Sequence, residues 1–404
     1  MAVASAPGSL LPPWWARPGL EVRGGQLHMA GRSAVDLARE LGTPLYVYDP
    51  ARLEANALRL EAALNRAGVR HRLLYALKAN RHPAILYRLR GMGRIGIDAC
   101  SPNEVMLALQ SGWKPEEISF TGTNLSGRDL DRILALPLVV NLDSLSAIRR
   151  VGARSPGRPI GLRLNPRVGT GYSEQMTYAG DKPTKFGIYE ERLGEALEQA
   201  ARHDLQVRGL HFHIGSGWLR DSIGHFLEAV ERVARIAGRL KGLEYVNVGG
   251  GLGVPVAPTD QPVDLDAYAS GLAHHLGPPG VTVTCEPGDF LIKDAGVLLV
   301  EVVTVEEKGG VTFVGVDCGF NAFCLPVLYH FAQEVVLCRA ADSPAAIECT
   351  LAGHINEAGD LFAENCRLPE VREGDILALL NAGGYGAAMA SNHCSRPHAQ
   401  ELAL

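Results

Sequence analysis

The feature that most constrains the fold is an alternation. Short apolar runs recur at "LLYALKA" (73–79), "RIGIDAC" (94–100), "EISFTG" (117–122), "LVVNLDS" (138–144), "PIGLRLNP" (159–166), "VRGLHFHIG" (207–215), "YVNVGGG" (245–251) and "VTVTCEPG" (281–288). Patterns of helical period lie between most of them, among them "ARLEANALRLEAALNRAG", "SPNEVMLALQSG" and "LGEALEQAARHD". "SPNE" (101–104) has the form of a capping box. Near-continuous apolar runs belong to a parallel sheet covered by helices. Eight strands alternating with helices predict an α/β fold, a (β/α)8 TIM barrel. A doubly wound sheet is the rival, but its glycine fingerprint follows the first strand, whereas here the glycines follow the seventh.

Past residue 290 the pattern changes. "GVLLVEVVTVEEKGGVTFVGVD" reads as two strands around a Gly-Gly turn, and "AIECTLAG" and "DILALLNAGG" as further strands. Near the start, "LEVRGGQLHMAG" reads as a hairpin, "SAVDLARELG" as a short amphipathic helix and "TPLYVYD" as a strand. The expected organisation is a barrel over 45–290 and a second, mostly β domain built from 1–44 and 291–404. A chain of 404 residues suits one large barrel plus a smaller module. The stretch "MAVASAPGSLLPPWWARPG" lacks the basic start and apolar core of a signal peptide and reads as a loose or partly docked tail.

Composition narrows the function classes. Apolar content of 47% and charged content of 21% are those of a soluble globular protein. A net charge of −5 without a basic block argues against nucleic acid, and no apolar stretch is long enough to span a bilayer. The eight cysteines form no C-x-x-C pair and no zinc spacing, so no metal is expected; they read as reduced thiols of a cytoplasmic protein.

In a (β/α)8 barrel the active site lies at the C-terminal ends of the strands. That rule selects Lys78 after the first run, Asp98 after the second, His213 and Ser216 after the sixth, "GGGLG" (249–253) after the seventh and "EPGD" (286–289) after the eighth. A Gly-rich turn at strand seven exposes backbone N–H groups where phosphate commonly binds, although such a turn also simply eases a tight bend. An ammonium at the end of a buried strand either snorkels to water or serves chemistry. A lysine amine forms a Schiff base with pyridoxal phosphate, which also brings the phosphate. Glu286 then suits the pyridine nitrogen and His213 the face of the ring. The plainer readings are a Glu286 paired to a surface arginine and a satisfied core His213.

Here the sequence resembles a known family. "YALKAN", "HFHIGSG", "VNVGGGLG", "EPGD", "NEAGD" and "GGYGAAMASNHCSRPHAQEL" match, in order, the motifs of pyridoxal-phosphate decarboxylases of the alanine racemase-like fold type, nearest to diaminopimelate decarboxylases. The resemblance implies Lys78 as the Schiff-base lysine, His213 stacked on the ring and Glu286 at the pyridine nitrogen. It implies Ser216, Gly250, Gly251 and Gly288 near the phosphate, with Tyr385 reaching it from the second subunit of a homodimer. The loop around Glu357 is expected to cross that dimer, so that the active sites are shared.

Three departures fall where the resemblance implies substrate contacts. Asp289 stands where the family reads "EPGR", Leu325 where an arginine precedes "PALY", and Asn356 where "CESGD" supplies a cysteine; Tyr329 is retained. A distal carboxylate needs a cation or several donors. The expected reaction is therefore decarboxylation of a diamino acid or derivative lacking a free distal carboxylate, with Asp289, Tyr329, Asn356, Glu357 and Tyr385 at the substrate. With Asn356 unable to donate a proton as a thiol does, His354, Cys324, Tyr385 or water remain as the acid. True meso-diaminopimelate decarboxylation, racemase-like chemistry and a non-catalytic cofactor-binding homologue are the alternatives.

Overall fold

The structure, a computed structural model, describes residues 12–180, 182–330 and 332–404. It separates into two compact units. One comprises Asn56–Val254 and Gln261–Leu291; the other comprises the described residues up to Ala55, Pro255–Asp260 and Ile292–Leu404.

The first unit is the barrel. Its strands are β1 His71–Ala76, β2 Ile95–Ala99, β3 Ile118–Phe120, β4 Val139–Leu142, β5 Pro159–Asn165, β6 Gln206–His211, β7 Tyr245–Asn247 and β8 Thr282–Cys285. All neighbours are parallel, and the β8–β1 and β4–β5 pairings complete the closed circuit. Each apolar run of the sequence supplies one strand. The helix Pro102–Gln110 shows how the local signals act. Ser101 Oγ accepts the Glu104 N–H at 3.2 Å, as a capping box requires, but the Glu104 carboxylate takes the N–H of Cys100, one residue earlier than the motif predicts. The 3.6-residue period then turns Val105 and Ala108 inward.

The barrel interior is plugged by polar groups as well as apolar ones. Tyr245 points across it and donates its hydroxyl to Asn141 Oδ1 at 2.8 Å, and Asn141 Nδ2 reaches Ser119 Oγ and Thr121 Oγ1 at 3.1 and 2.9 Å. Glycine is required beneath this ring: a Cβ on Gly209 would stand 2.0 Å from Tyr245 Cζ. Burial, then Glu286 and Glu244, hold the Tyr245 phenol well above its ordinary value, so it stays a neutral donor.

The second unit is mostly β. The strand Leu45–Tyr48 pairs antiparallel with Gly296–Lys308 and parallel with Gln400–Ala403. The domain boundary expected at residue 45 put this strand with the barrel; its backbone pairs with Gly296–Lys308 and Gln400–Ala403 in the other unit, where all four of its residues are buried. Gly296–Lys308 also pairs with Ile376–Leu379 and Val311–Val316. The N-terminal hairpin forms as expected, Leu20–Arg23 against Gln26–Met29. Its turn, Gly24-Gly25, has φ of 57° and 79°, and Gly309-Gly310 repeats this with 61° and 82°. Two consecutive residues in the left-handed region make the turn whose twist matches paired strands. Of the stretch expected to be a loose or partly docked tail, residues 1–11 lie outside the described residues, while Trp15 is 5% exposed in a core with Leu27, Leu37, Val47 and Leu299. Among the described residues no helix is long and apolar enough to cross a membrane.

Candidate active site

The C-terminal ends of the barrel strands carry Lys78, Asp98, Arg163, His211, His213, Asn247, the 249–253 turn and Glu286. Lys78 sits in the single 3-10 turn Leu77–Ala79 that directly follows β1. Its side chain keeps substantial accessible surface there, among the polar groups of the strand ends. Burial pulls this ammonium down, but Asp98 foremost, then Cys100, Tyr178 and Glu286, hold it above its ordinary value. Asp98, on β2, is 6% exposed. Burial, then the Glu286 carboxylate, push it well above the usual carboxylate range, against the pull of Lys78 and Arg163.

Glu286 follows β8, and both of its oxygens are held. Oε2 lies 3.0 Å from His211 Nε2, and Oε1 accepts from Asn247 Nδ2 at 2.5 Å. Burial raises its pKa, while the Asn247 hydrogen bond and the charges of Lys78 and Arg163 act the other way. Burial, then Arg163 and Lys78, hold His211 well below its ordinary value, so its imidazole is neutral. The assignment that satisfies the pair has Nε2–H donating to Glu286.

His213 is also held neutral, by burial first and then by Lys78 and Arg163. Its Nδ1 is buried without a hydrogen-bond partner among the described residues. Its ring is set by an aromatic chain: Tyr178 lies 5.2 Å away at 30°, Phe186 meets Tyr178 edge-on at 5.7 Å, and the Arg163 guanidinium caps Phe186 at 4.5 Å.

The glycine turn is built by close backbone approach. A Cβ on Gly250 would stand 2.1 Å from the Glu286 carbonyl oxygen, and one on Gly251, at φ 97°, 2.1 Å from that of Gly215. The N–H groups of Gly250 and Gly251 donate to no backbone acceptor among the described residues. Ser216 is half-buried, with its N–H on Met176 O and its carbonyl receiving the Tyr172 N–H. An accessible lysine at a strand end, an imidazole with an unpartnered nitrogen, a held carboxylate and a cradle of undonated N–H groups together fit pyridoxal phosphate. The residues that fit it are Lys78, His213, Ser216, Gly250, Gly251 and Glu286, with Gly288 buried beside them.

Asp289 belongs to the barrel unit as well, 5% exposed, at the first position of the turn Asp289–Ile292. Tyr329, Asn356, Glu357 and Tyr385 belong to the other unit. There, buried Asp360 organises the loop before it: Oδ1 accepts the Phe320 N–H and Oδ2 the Ile355 N–H, each at 2.7 Å. Asn356 and Glu357 are exposed on that loop, with Glu357 Oε1 3.4 Å from His393 Nε2. Leu325 is 2% exposed and Tyr385 takes φ 61°.

Arg163, His211 and Asn247 were not picked out by the sequence reading. A usable signal exists: His211 and His213 are two apart, which on a strand places them on one face.

A (β/α)8 barrel with this constellation at its strand ends defines a pyridoxal-phosphate enzyme, and comparison with known proteins narrows the class. Residues 51–293 match the pyridoxal-binding domain of the pyridoxal-dependent decarboxylases. The diaminopimelate decarboxylase of Methanothermobacter thermautotrophicus is 38% identical over 402 residues, 95% of this chain and 92% of its own. The crystal structure of diaminopimelate decarboxylase from Helicobacter pylori complexed with L-lysine superposes with a TM-score of 0.84 at 32% identity, over 91% of this chain and 93% of that one. That from M. jannaschii, also with L-lysine, gives 0.87 at 28% identity over 95% and 92%. The chain belongs to the pyridoxal-dependent decarboxylase family. It is a carboxy-lyase acting on an amino acid, and within the family it resembles the diaminopimelate decarboxylases.

Proposed function

We propose that this decarboxylase takes an amino acid whose distal end is neutral or cationic, a diamino acid or a derivative without a free distal carboxylate. The observation that carries the reading is the buried carboxylate of Asp289, one residue beyond Gly288 on the barrel, where the family resemblance leads one to expect an arginine. A carboxylate repels a distal carboxylate and attracts an ammonium. Each charge-assisted hydrogen bond lost is worth about 1.5–3 kcal/mol, or roughly 10- to 100-fold in affinity. A second reading, meso-diaminopimelate, is favoured by the relative at 38% identity that bears that activity in its name.

Bound pyridoxal phosphate supplies the electron sink that accepts the charge left when CO2 departs from Cα. Lys78 would supply the amine that anchors the cofactor, with Asp98 on the neighbouring strand. Glu286 sets its carboxylate at the ring nitrogen, and His213 offers a neutral face to the ring. Gly250, Gly251, Ser216 and Gly288 receive the phosphate. Asn356 and Glu357, on one loop, and Tyr385 complete the site from a second subunit of a homodimer, with Tyr329 also at the substrate. The exposure of Asn356 and Glu357 on a pinned loop supports that arrangement.

The test is CO2 release from meso-diaminopimelate, L-lysine, L-ornithine and L-2,4-diaminobutyrate side by side. Turnover of a diamino acid with a free ammonium in preference to meso-diaminopimelate is expected; the reverse order establishes the second reading. Borohydride reduction of the holoenzyme followed by peptide mapping is expected to label Lys78. Mixing inactive Lys78→Ala and Glu357→Ala chains is expected to restore activity, and no restoration would remove the shared site.

A further inference from the structure

Asn247 ends β7 and is 1% exposed. The two polar atoms of its amide are committed in different directions. Nδ2 donates to Glu286 Oε1 at 2.5 Å, and Oδ1 accepts the Gly249 N–H at 2.9 Å. The second bond forms a turn over Val248 that opens the glycine run, with Gly249 at φ 69°. The Gly249 carbonyl in turn accepts the Glu286 N–H at 2.7 Å. One side chain thus ties the carboxylate at the ring-nitrogen end to the backbone turn at the phosphate end.

A side-chain amide serves both bonds, since it carries a donor for the carboxylate and an acceptor for the N–H. Donation to Glu286 favours its ionised form, against the burial that raises it. An aspartate at 247 would keep the acceptor for Gly249 and set a second carboxylate against Glu286, so that the two share a proton. Alanine would remove both bonds. His211 is the natural comparison, because its Nε2 reaches Glu286 through Oε2 while its Nδ1 has no hydrogen-bond partner among the described residues.

We propose that Asn247 is a positioning residue that governs both ends of the cofactor site, fixing the Glu286 carboxylate through Nδ2 and the 249–251 turn through Oδ1. The inference rests on the reading of Glu286 as the partner of the ring nitrogen and extends it. The variants are Asn247→Asp, Asn247→Ala and His211→Gln, with Glu286→Gln as reference. Two readouts are taken: the pH titration of the cofactor absorbance in the holoenzyme, and binding of pyridoxal 5'-phosphate and inorganic phosphate to the apoenzyme. Far-UV circular dichroism confirms that each variant is folded.

Asn247→Asp is expected to shift the absorbance titration while leaving phosphate affinity within roughly threefold of wild type. Asn247→Ala is expected to shift the titration and weaken both pyridoxal 5'-phosphate and inorganic phosphate by about tenfold. His211→Gln moves the titration alone. Folded Asn247 variants with wild-type titration and wild-type phosphate affinity overturn the proposal while sparing the Glu286 reading, provided Glu286→Gln shifts the titration. If Glu286→Gln leaves it unmoved, the Glu286 reading fails and the proposal falls with it.

Discussion

His211 Nε2 lies 3.0 Å from Glu286 Oε2 inside the barrel, with the two residues 2% and 7% exposed. The imidazole is held neutral by burial, aided by Arg163 and Lys78, whereas in an unfolded chain it titrates near pH 6.5. Below that pH the unfolded state takes up a proton that the folded state refuses. Stability from this residue is therefore present above about pH 6.5 and is lost as pH falls, by up to about 1.4 kcal/mol per pH unit until the folded pKa is reached. Asp98 and Glu286, raised by burial, act in the opposite sense. They remain in a His211→Gln variant, so the difference between the two proteins reports the imidazole together with its bond to Glu286. Urea midpoints of the apoprotein between pH 5 and 7 are expected to fall less steeply in the variant. Parallel curves would mean that His211 is charged in the fold.

Gly251 and Gly310 both have positive φ, 97° and 82°, but differ in their surroundings. A Cβ at 310 meets nothing within 4 Å, whereas one at 251 would overlap the Gly215 carbonyl oxygen. Gly310→Ala should cost only the left-handed backbone penalty, about 1–2 kcal/mol. Gly251→Ala adds the displacement of a neighbouring strand end, about 1–3 kcal/mol more, and should loosen pyridoxal phosphate. Thermal unfolding and cofactor retention on dialysis measure both. Equal costs at the two positions would show that the turn yields without strain.

What the sequence revealed and concealed follows from where each signal is written. The barrel was legible because burial on both faces makes each strand an apolar run, and eight such runs admit few architectures. Lys78, His213 and Glu286 stood out because a charged or polar group at the end of such a run has few structural excuses. Arg163, His211 and Asn247 stayed hidden because they lie within the strands, where a polar residue is as readily explained by a bend or an edge. Their meaning arises only when closure brings β5, β6, β7 and β8 side by side. The strand Leu45–Tyr48 was misplaced for a related reason: its sequence shows that it is buried, not which sheet it joins. Likewise Gly209 appears as a break in a strand until Tyr245 is seen to occupy the space.

Asp360 offers a way to perturb the Asn356–Glu357 loop without touching either residue. Its carboxylate, 2% exposed, accepts the N–H groups of Phe320 and Ile355. Asp360→Ala leaves both donors unsatisfied and should destabilise by about 1–3 kcal/mol for each. With the loop released, kcat/KM should drop at least about tenfold while cofactor absorbance stays unchanged, because the barrel residues are intact. A destabilised variant with wild-type kcat/KM would take this loop out of the active site. Asp360→Asn, which keeps one acceptor oxygen, should fall between the two.

Cys349 and Cys366 face each other across the antiparallel pair Ile347–Ala352 and Leu361–Leu368. Opposed residues in such a ladder have Cα atoms about 4.5–5.5 Å apart, inside the disulfide range of about 4.4–6.8 Å. Cys349 is buried and Cys366 half-buried, so Cys366 is the thiol that an outside oxidant reaches first. Oxidised glutathione should therefore convert the two thiols to a disulfide, the two electrons and two protons passing to glutathione. Intact mass should fall by about 2 Da, and dithiothreitol should restore it. Because the link closes the hairpin that carries the Asn356–Glu357 loop, the oxidised unit should gain up to about 3 kcal/mol in denaturant stability. Cys366→Ser should lose both the mass change and the gain. Glutathione found only on the exposed Cys100 and Cys394, with Cys349 and Cys366 still reduced, would show that the pair is too well packed to react.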